Sequence, residues 1–574
     1  MPSDDKNQAE PFLEEVKKII ADKLDQKKPV FSYPPNPELG DLSLACFESA
    51  KEAGKNPTAL AASWAETINQ DDGLKSLVAS AKSVGPYLNI YFTNDALATG
   101  VISRIKKEKG LYGNNTSGAG QRIMVEYSNG NTHKEYHVGH LRNIAYGDAV
   151  SRILDANGYI SVRVSYINDF GIHTAKTIWN WKMNPAYTNQ PEPKGYLLGK
   201  CYAEASQKLV ERPEYKLEVA KIMQDIESRR GENYSLWKET RDWSIDYFAS
   251  IYEELDINFV RTFYESDVID EGLVMVKSLL EKGILKESEG AIIADLQEYD
   301  LGVLPVVRSD GTALYPVADL ALAVNKFSLY DLVESIYVVD IRQSQYFKQL
   351  FKVLELLGYQ QKLVHLPYDF VTLPDGMMSS RTGNVITYRE LRDKVRARLI
   401  KETKAKREDW SEEEIVQTAE KLSLAVIKFE MLKVSADKIM IFNLEEALKF
   451  EGYTACYLEY TYARLQSVLR KEGSNYFMGR VDLSLLTEPK EKELLLKLAR
   501  YPESVLSANE KKNPGEVARY LFELAQVAND YYHAVNILKA EKKIKKARLA
   551  LVRATVQVLA NGFNLLGVPA LEEM

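Results

Sequence analysis

The sequence predicts a multidomain α/β protein: a parallel-sheet core with a helical insertion, preceded by an α+β unit and followed by an all-α region. Three observations predict it. From Gln121 the chain runs strand, glycine-containing loop, helix, strand, a βαβ unit that implies a right-handed parallel crossover. Residues from about 175 to 265 are helical, polar and rich in Trp and Tyr, and they interrupt that rhythm. From Tyr388 onward strong helix formers dominate.

Residues 1–118 form the first unit. A helix-period stretch from Pro11 to Leu24 leads into the turn-rich YPPNPELGD segment (Tyr33 to Asp41). Leu42 to Ala53 and Pro57 to Ile68 read as further helices, and GPYLNIYF (Gly85 to Phe92), alternating and aromatic, as a strand. Asn114 to Gly120 is a linker by composition. The core spans 119–387, with the insertion at about 175–265. Arg122 to Ser128 is its first strand. The following helix, Val138 to Asn157, carries Leu141, Ala145, Ala149 and Ile153 at four-residue spacing, with Gly158 as its C′ residue. Ile160 to Ile167 is the second strand, completing a Rossmann-like unit. Beyond the insertion, Ala291 to Leu296 and Leu304 to Val307 read as strands that resume the α/β rhythm, with Ser309-Asp310-Gly311 as a hairpin turn. Ser335 to Ile341 is a buried strand and Leu350 to Leu357 part of the next helix. Residues 388–446 form a helical connection and 447–574 a helical domain.

Composition narrows the class. The chain of 574 residues is 45% hydrophobic and 27% charged, enough apolar surface to offset chain entropy and to argue against disorder. Three scattered cysteines, Cys46, Cys201 and Cys456, fit neither a disulfide framework nor zinc spacing, so a reducing, cytoplasmic setting without zinc is expected. The polar, acidic start does not read as a secretory signal, and no run of 18 apolar residues suggests a membrane span. A net charge of −7 argues against a bulk polycation but leaves room for local basic surfaces.

Three constellations could carry chemistry. His137-Val138-Gly139-His140 opens the first crossover helix, where backbone N–H groups and the helix dipole face an anion. Met378-Ser379-Ser380-Arg381-Thr382-Gly383-Asn384 follows a Pro-Asp-Gly turn and offers a cation and hydroxyls to a polyphosphate. Glu126 and Asn131 flank the loop after the first strand. Tyr315 and Asp319, four apart, share a face if a helix begins near Pro316. Carboxylates at the carboxyl end of a parallel sheet suit a cationic substrate, although spacing alone favours ordinary capping and surface charge.

These segments resemble a known family. VEYSNGNTHKEYHVGHLRN (Val125 to Asn143) resembles the signature region of class I arginyl-tRNA synthetases, and MSSRTGN their form of the second class I signature. SIYVVDIRQSQYFKQLF (Ser335 to Phe351) and GTALYPVADLALA (Gly311 to Ala323) resemble two further blocks. EGYTACYLEYTYARLQSVLRK (Glu451 to Lys471) is similar to the opening of the family's anticodon-binding domain, and GDLSLACFESAKEAGKNP (Gly40 to Pro57) to its appended front domain.

The resemblance implies a class I catalytic core that joins L-arginine to tRNA(Arg) through arginyl-adenylate, using ATP with Mg2+, and a monomer is the expected state. It assigns His137, Gly139, His140, Met378, Ser379 and Ser380 to ATP, and gives His137, His140, Lys134 and Arg381 catalytic roles. Glu126, Asn131, Tyr315, Asp319 and Gln343 match the arginine-binding positions. Tyr87 and Asn89 match front-domain positions that recognise the tRNA D-loop, and Tyr453, Tyr457, Tyr460, Arg464 and Arg470 are candidates for the anticodon region. Lys539 to Arg553 is the densest basic segment. Departures from the family pattern include Thr382 where Lys is common, Ala318 where Arg often precedes the aspartate, and Tyr346 where His is common. A class I enzyme for another amino acid such as lysine, a smaller HxGH nucleotidyltransferase, and an inactive RNA-binding paralogue are the rival readings. The Tyr315/Asp319/Gln343 blocks, the helical tail and the intact signatures argue against them in turn.

Overall fold

A computed structural model describes residues 10–372, 374, 386–473 and 481–574. The first unit is an antiparallel sheet of β1 (Phe31–Ser32), β2 (Leu42–Ala45), β3 (Val78–Val84) and β4 (Tyr87–Phe92), in the order β1-β2-β4-β3. Helices Phe12–Lys23, Pro57–Gln70 and Asn94–Glu108 accompany it. Here the helix expected over Leu42 to Ala53 is overturned in its first half. Leu42 and Leu44 pair with Ile90 and Leu88 of β4 as strand residues, and the helix starts only at Phe47. Long-range pairing overrides a weak local propensity.

The core is a five-stranded parallel sheet. β5 (Arg122–Glu126), β6 (Ile160–Ile167) and β7 (Arg261–Tyr264) lie on one side of it, and β11 (Glu334–Asp340) and β12 (Lys362–Tyr368) on the other, in the order β12-β11-β5-β6-β7. Alternation along β5 sends Ile123 and Val125 toward helix Val138–Ala156. Met124 faces the opposite layer with Val164, Phe263, Ala318 and Leu322. Gly147 lets that helix settle on the sheet, because a Cβ there would come within 2.2 Å of Tyr127 Cγ. Both faces of the sheet are therefore covered, which leaves its carboxyl edge as the open crevice.

The strands read over Ala291 to Leu296 and Leu304 to Val307 do not join this sheet. β8 (Lys286–Ser288), β9 (Ala291–Asp295) and β10 (Val303–Val307) form a separate antiparallel sheet. Connections of two and seven residues are too short for parallel crossovers, which need about a dozen residues. The insertion itself is four helices, Ile172–Met183, Lys194–Glu211, Lys216–Glu227 and Gly231–Glu254, packed around Trp179, Trp237 and Ile226. β13 (Val371–Thr372) pairs with β14 (Met440–Ile441) and ties the core to the helical region, which runs from Tyr388 to Leu565. The front unit rests on that region. Tyr112 stacks on Tyr501 with centroids 6.1 Å apart, and Lys492 meets Asp41 at 2.8 Å.

Candidate active site

Helix Val138–Ala156 opens on its own two histidines. His137 Nδ1 accepts the Gly139 N–H at 3.1 Å, and His140 Nδ1 accepts the His137 N–H at 3.2 Å. The rings stack with centroids 3.9 Å apart. A Cβ at Gly139 would lie 2.9 Å from His137 Cε1, so this ring can fold back only over glycine. With both Nδ1 atoms accepting, each neutral ring carries its proton on Nε2 and presents that N–H outward. Burial, then Lys134, pushes His137 down to about 4; burial, then His137, then Lys134, holds His140 well below the ordinary range. The two rings are therefore neutral at physiological pH. Lys134 is a cation close to them. Its pKa is lowered by burial and by Lys176, and its ammonium lies 5.3 Å from the Tyr202 ring.

The segment that holds the second signature is pinned to this helix on both described flanks. Downstream, Val138 N–H donates to Ile386 at 3.2 Å and Tyr388 N–H to Tyr136 at 2.7 Å. Upstream, the fully buried Arg142 donates to the carbonyls of Asp369, Phe370 and Ser435 at 2.8, 3.2 and 2.9 Å. Arg142 has no motif signal beyond its place after HVGH and was not singled out by sequence. Met378, Ser379, Ser380, Arg381 and Thr382 lie outside the described residues.

The other expected residues gather at the same sheet edge. Tyr315, exposed, opens helix Tyr315–Leu329, and Asp319 stands one turn on. Asp319 accepts the Tyr346 O–H; burial pushes the aspartate up to about 6 against the pull of that hydrogen bond. Tyr346, a departure in the sequence, is thus the residue that orients the aspartate. Glu265, the first residue after β7, was missed. Its side chain is buried, Oε2 has no hydrogen-bond partner among the described residues, and burial, then Asp319 and Asp169, pushes it up to about 8. Glu265 and Asp319 thus place two carboxyls with raised pKa values at this edge. Gln343, exposed, ends the turn after β11, and Asn131 bridges to Asn168. Glu126, at the end of β5, is already paired: its Oε2 is bound by the buried Lys326. Among the described residues no group of three His, Cys, Asp or Glu side chains could hold a metal ion.

The model for the class I tRNA synthetase (R) catalytic domain matches residues 101–444, that for the arginyl-tRNA synthetase N-terminal domain residues 8–92, and the DALR anticodon-binding domain residues 458–574. The chain belongs to the arginyl-tRNA synthetase family. An arginine–tRNA ligase of Bdellovibrio bacteriovorus is 35% identical over 557 residues, 94% of this chain and 93% of that protein. One from Treponema denticola is 34% identical, covering 94% of each chain. The solved arginyl-tRNA synthetase of Thermus thermophilus superposes with a TM-score of 0.80 at 27% identity, over 98% of this chain and all of that one.

The helical domain carries a cavity of ≈ 570 Å³ lined by Arg407, Tyr460, Arg464, Arg470, Tyr532 and Met574, among others. Arg464 stacks on Tyr460, with the guanidinium carbon 4.5 Å from the ring centroid, and donates to its hydroxyl at 2.7 Å. Tyr453 is half-buried, with its ring packed against Phe429 and Phe522 and its hydroxyl buried. Tyr457 accepts from Asn529 and packs on Phe522. Part of the basic segment is likewise structural, with Arg548 bound to buried Glu491 at 2.6 Å and Lys545 to Glu472 at 3.0 Å. In the front domain Tyr87 is exposed edge-on to Phe47, whereas Asn89 is buried and its Oδ1 accepts from Ser43 at 2.7 Å.

Proposed function

We propose that this chain ligates L-arginine to tRNA(Arg) with ATP, using Asp319 for the guanidinium and the HVGH helix with Lys134 for the phosphates. A half-buried carboxylate with no ion-pair partner among the described residues, at the same sheet edge as paired neutral histidines, is the observation that carries this reading. The arginine carboxylate attacks the α-phosphorus, the bond to the β-phosphate breaks, and pyrophosphate leaves. A 2′-hydroxyl of the terminal adenosine then attacks the acyl carbon, and AMP leaves. ATP enters as its magnesium complex. The protein's part is to position and to stabilise charge. His137 and His140 donate Nε2–H to phosphate oxygens without a change of protonation. Asp319, oriented by Tyr346, accepts from a planar guanidinium that offers five donors, with Tyr315 and Gln343 completing the pocket. Charging of tRNA with labelled arginine tests this: arginine-specific charging is expected, and charging with a different amino acid would reject the assignment.

The protonation of Asp319 gives a pH dependence. Its pKa in the free pocket is raised to about 6, and a bound guanidinium favours the ionised form, so binding releases a proton below that pH. The arginine KM is therefore expected to be about 10-fold higher at pH 5 than at pH 7, with ATP KM much flatter. A flat arginine KM over that range would show that Asp319 does not face the substrate. On the front domain, Tyr87→Ala is expected to raise tRNA KM by roughly 5- to 150-fold through loss of a stacked base, with arginyl-adenylate synthesis intact. Equal tRNA KM for variant and parent would remove Tyr87 from the interface. The cytoplasm is the proposed setting, in keeping with a translation enzyme.

A further inference from the structure

We propose that His133 is a positioning residue for the reaction: locked to Thr240 and Ser244 of the insertion helix Gly231–Glu254, it holds the turn that sets Lys134 in the site. The inference rests on the role given above to Lys134.

Asn131 and Lys134 are the first and fourth residues of one β-turn. Lys134 N–H donates to the Asn131 carbonyl at 3.3 Å, and His133, in the third position, has a φ of 62°. Such a position favours glycine or asparagine, because a Cβ crowds the left-handed backbone. A bulky ring persists there only where its surroundings fix it. His133 is fully buried, and its N–H donates to Ser244 Oγ at 3.0 Å. Its Nε2 lies 2.8 Å from Thr240 Oγ1, whose own proton goes to the Leu236 carbonyl at 2.8 Å. Nε2 therefore carries the ring proton and the threonine oxygen accepts it. Nδ1 is left as an acceptor, and Thr132 Oγ1 donates to it at 3.0 Å. Burial pushes the ring down to about 3, so it is neutral at physiological pH and every polar atom of the ring is satisfied.

The opposite side of the turn is tied to the sheet. Asn131 bridges to Asn168, just beyond β6, and Thr132 N–H donates to the Asn168 carbonyl at 3.0 Å. The turn is thus held between the sheet edge and the insertion. The other left-handed residue of this loop, Ser128 (φ 60°), is held by the same helix, with its Oγ donating to the Tyr252 hydroxyl at 2.8 Å. Between them a Cβ on Gly130 would lie 3.0 Å from the Phe248 ring. Thr240, Ser244, Phe248 and Tyr252 recur every four residues and are all buried, so one ridge of the helix carries the loop from Ser128 to His133. The insertion therefore fixes the backbone from which Lys134 projects. Without an anchor, a buried N–H of His133 loses its partner and the turn relaxes toward conformations that histidine prefers, which removes enzyme from the competent population.

The test uses the full-length enzyme with tRNA present and follows arginine-dependent pyrophosphate exchange, at a temperature where melting curves show each variant folded. Thr240→Val keeps the volume and removes the acceptor of His133 Nε2–H. It is expected to lower kcat by about 10-fold, the cost of one buried donor left unpaired. Thr240→Ser, which keeps the hydroxyl, is expected to recover most of the loss. In a Lys134→Ala background the same Thr240→Val change is expected to lower kcat by less than about 2-fold, because the group through which the turn acts is already gone. A threonine that only stabilises the fold would lower the melting temperature and cut kcat equally in both backgrounds, or leave kcat alone; either result overturns the proposal. If Thr240→Val does not fold, Ser244→Ala, which removes the acceptor of the His133 backbone N–H, decides by the same comparison. A slow Lys134→Ala beside a parental Thr240→Val rejects the anchoring alone, whereas near-parental exchange by Lys134→Ala rejects the role of Lys134 and the proposal with it.

Discussion

Asp319→Ala is expected to raise the KM for arginine by about 10²–10³-fold and to leave the KM for ATP nearly unchanged. Removing one member of a buried charge pair costs about 3–5 kcal/mol, because the partner is left desolvated without compensation. Here the partner is the substrate guanidinium. The loss falls on Asp319 because the other acids at this edge are otherwise engaged. Glu126 is held by Lys326, Asp169 by Arg241 and Ser266, and Glu265 is held near-neutral by burial and its acidic neighbours. Tyr346→Phe should produce a smaller rise in the same constant, since it removes the hydroxyl that orients the aspartate but leaves the charge. An unchanged arginine KM in Asp319→Ala would contradict the assignment.

Lys134→Ala is expected to lower kcat for arginine-dependent pyrophosphate exchange by about 10²–10³-fold, with little change in arginine KM. The second signature, MSSRTGN, has Thr382 where a lysine is common, and the two histidines are neutral, so the pocket needs a fixed cation from elsewhere. Lys134 is the cation beside them. A contact that strengthens as charge builds on the leaving pyrophosphate shows in kcat rather than in ground-state binding. Thr382→Ala should be mild by comparison. Near-parental exchange by Lys134→Ala, or a larger loss in Thr382→Ala, would refute this compensation.

What the sequence made legible follows from how local the signal is. The βαβ unit and the HVGH helix rest on short-range periodicity and a compact motif, so their place at the carboxyl edge of the sheet was readable. The pairing of Leu42 and Leu44 with β4 and the separate sheet of β8 to β10 depend on partners dozens of residues away, or on connection length, and the strand and helix signals alone did not separate them. The site shows the same division. Asp319 and Tyr315 were legible through the resemblance of their block, since their four-residue step alone fits ordinary capping, whereas Tyr346 and Glu265 acquire meaning only when folding buries them beside another charge or leaves them unpartnered. Asn89 and Tyr453 illustrate the converse: residue types suited to RNA contact that packing has largely claimed for the interior.

The central claim, a pocket that selects arginine through a buried planar fork, is tested most directly by pyrophosphate exchange with arginine and lysine side by side, tRNA present. A guanidinium can pair its fixed donors with the Asp319 carboxylate, whereas an ammonium is a point charge that uses the fork poorly. The account predicts robust exchange with arginine, at least about 10³-fold less in kcat/KM with lysine, and collapse of that ratio in Asp319→Ala. Comparable exchange with lysine, or a ratio that survives the loss of Asp319, would contradict it.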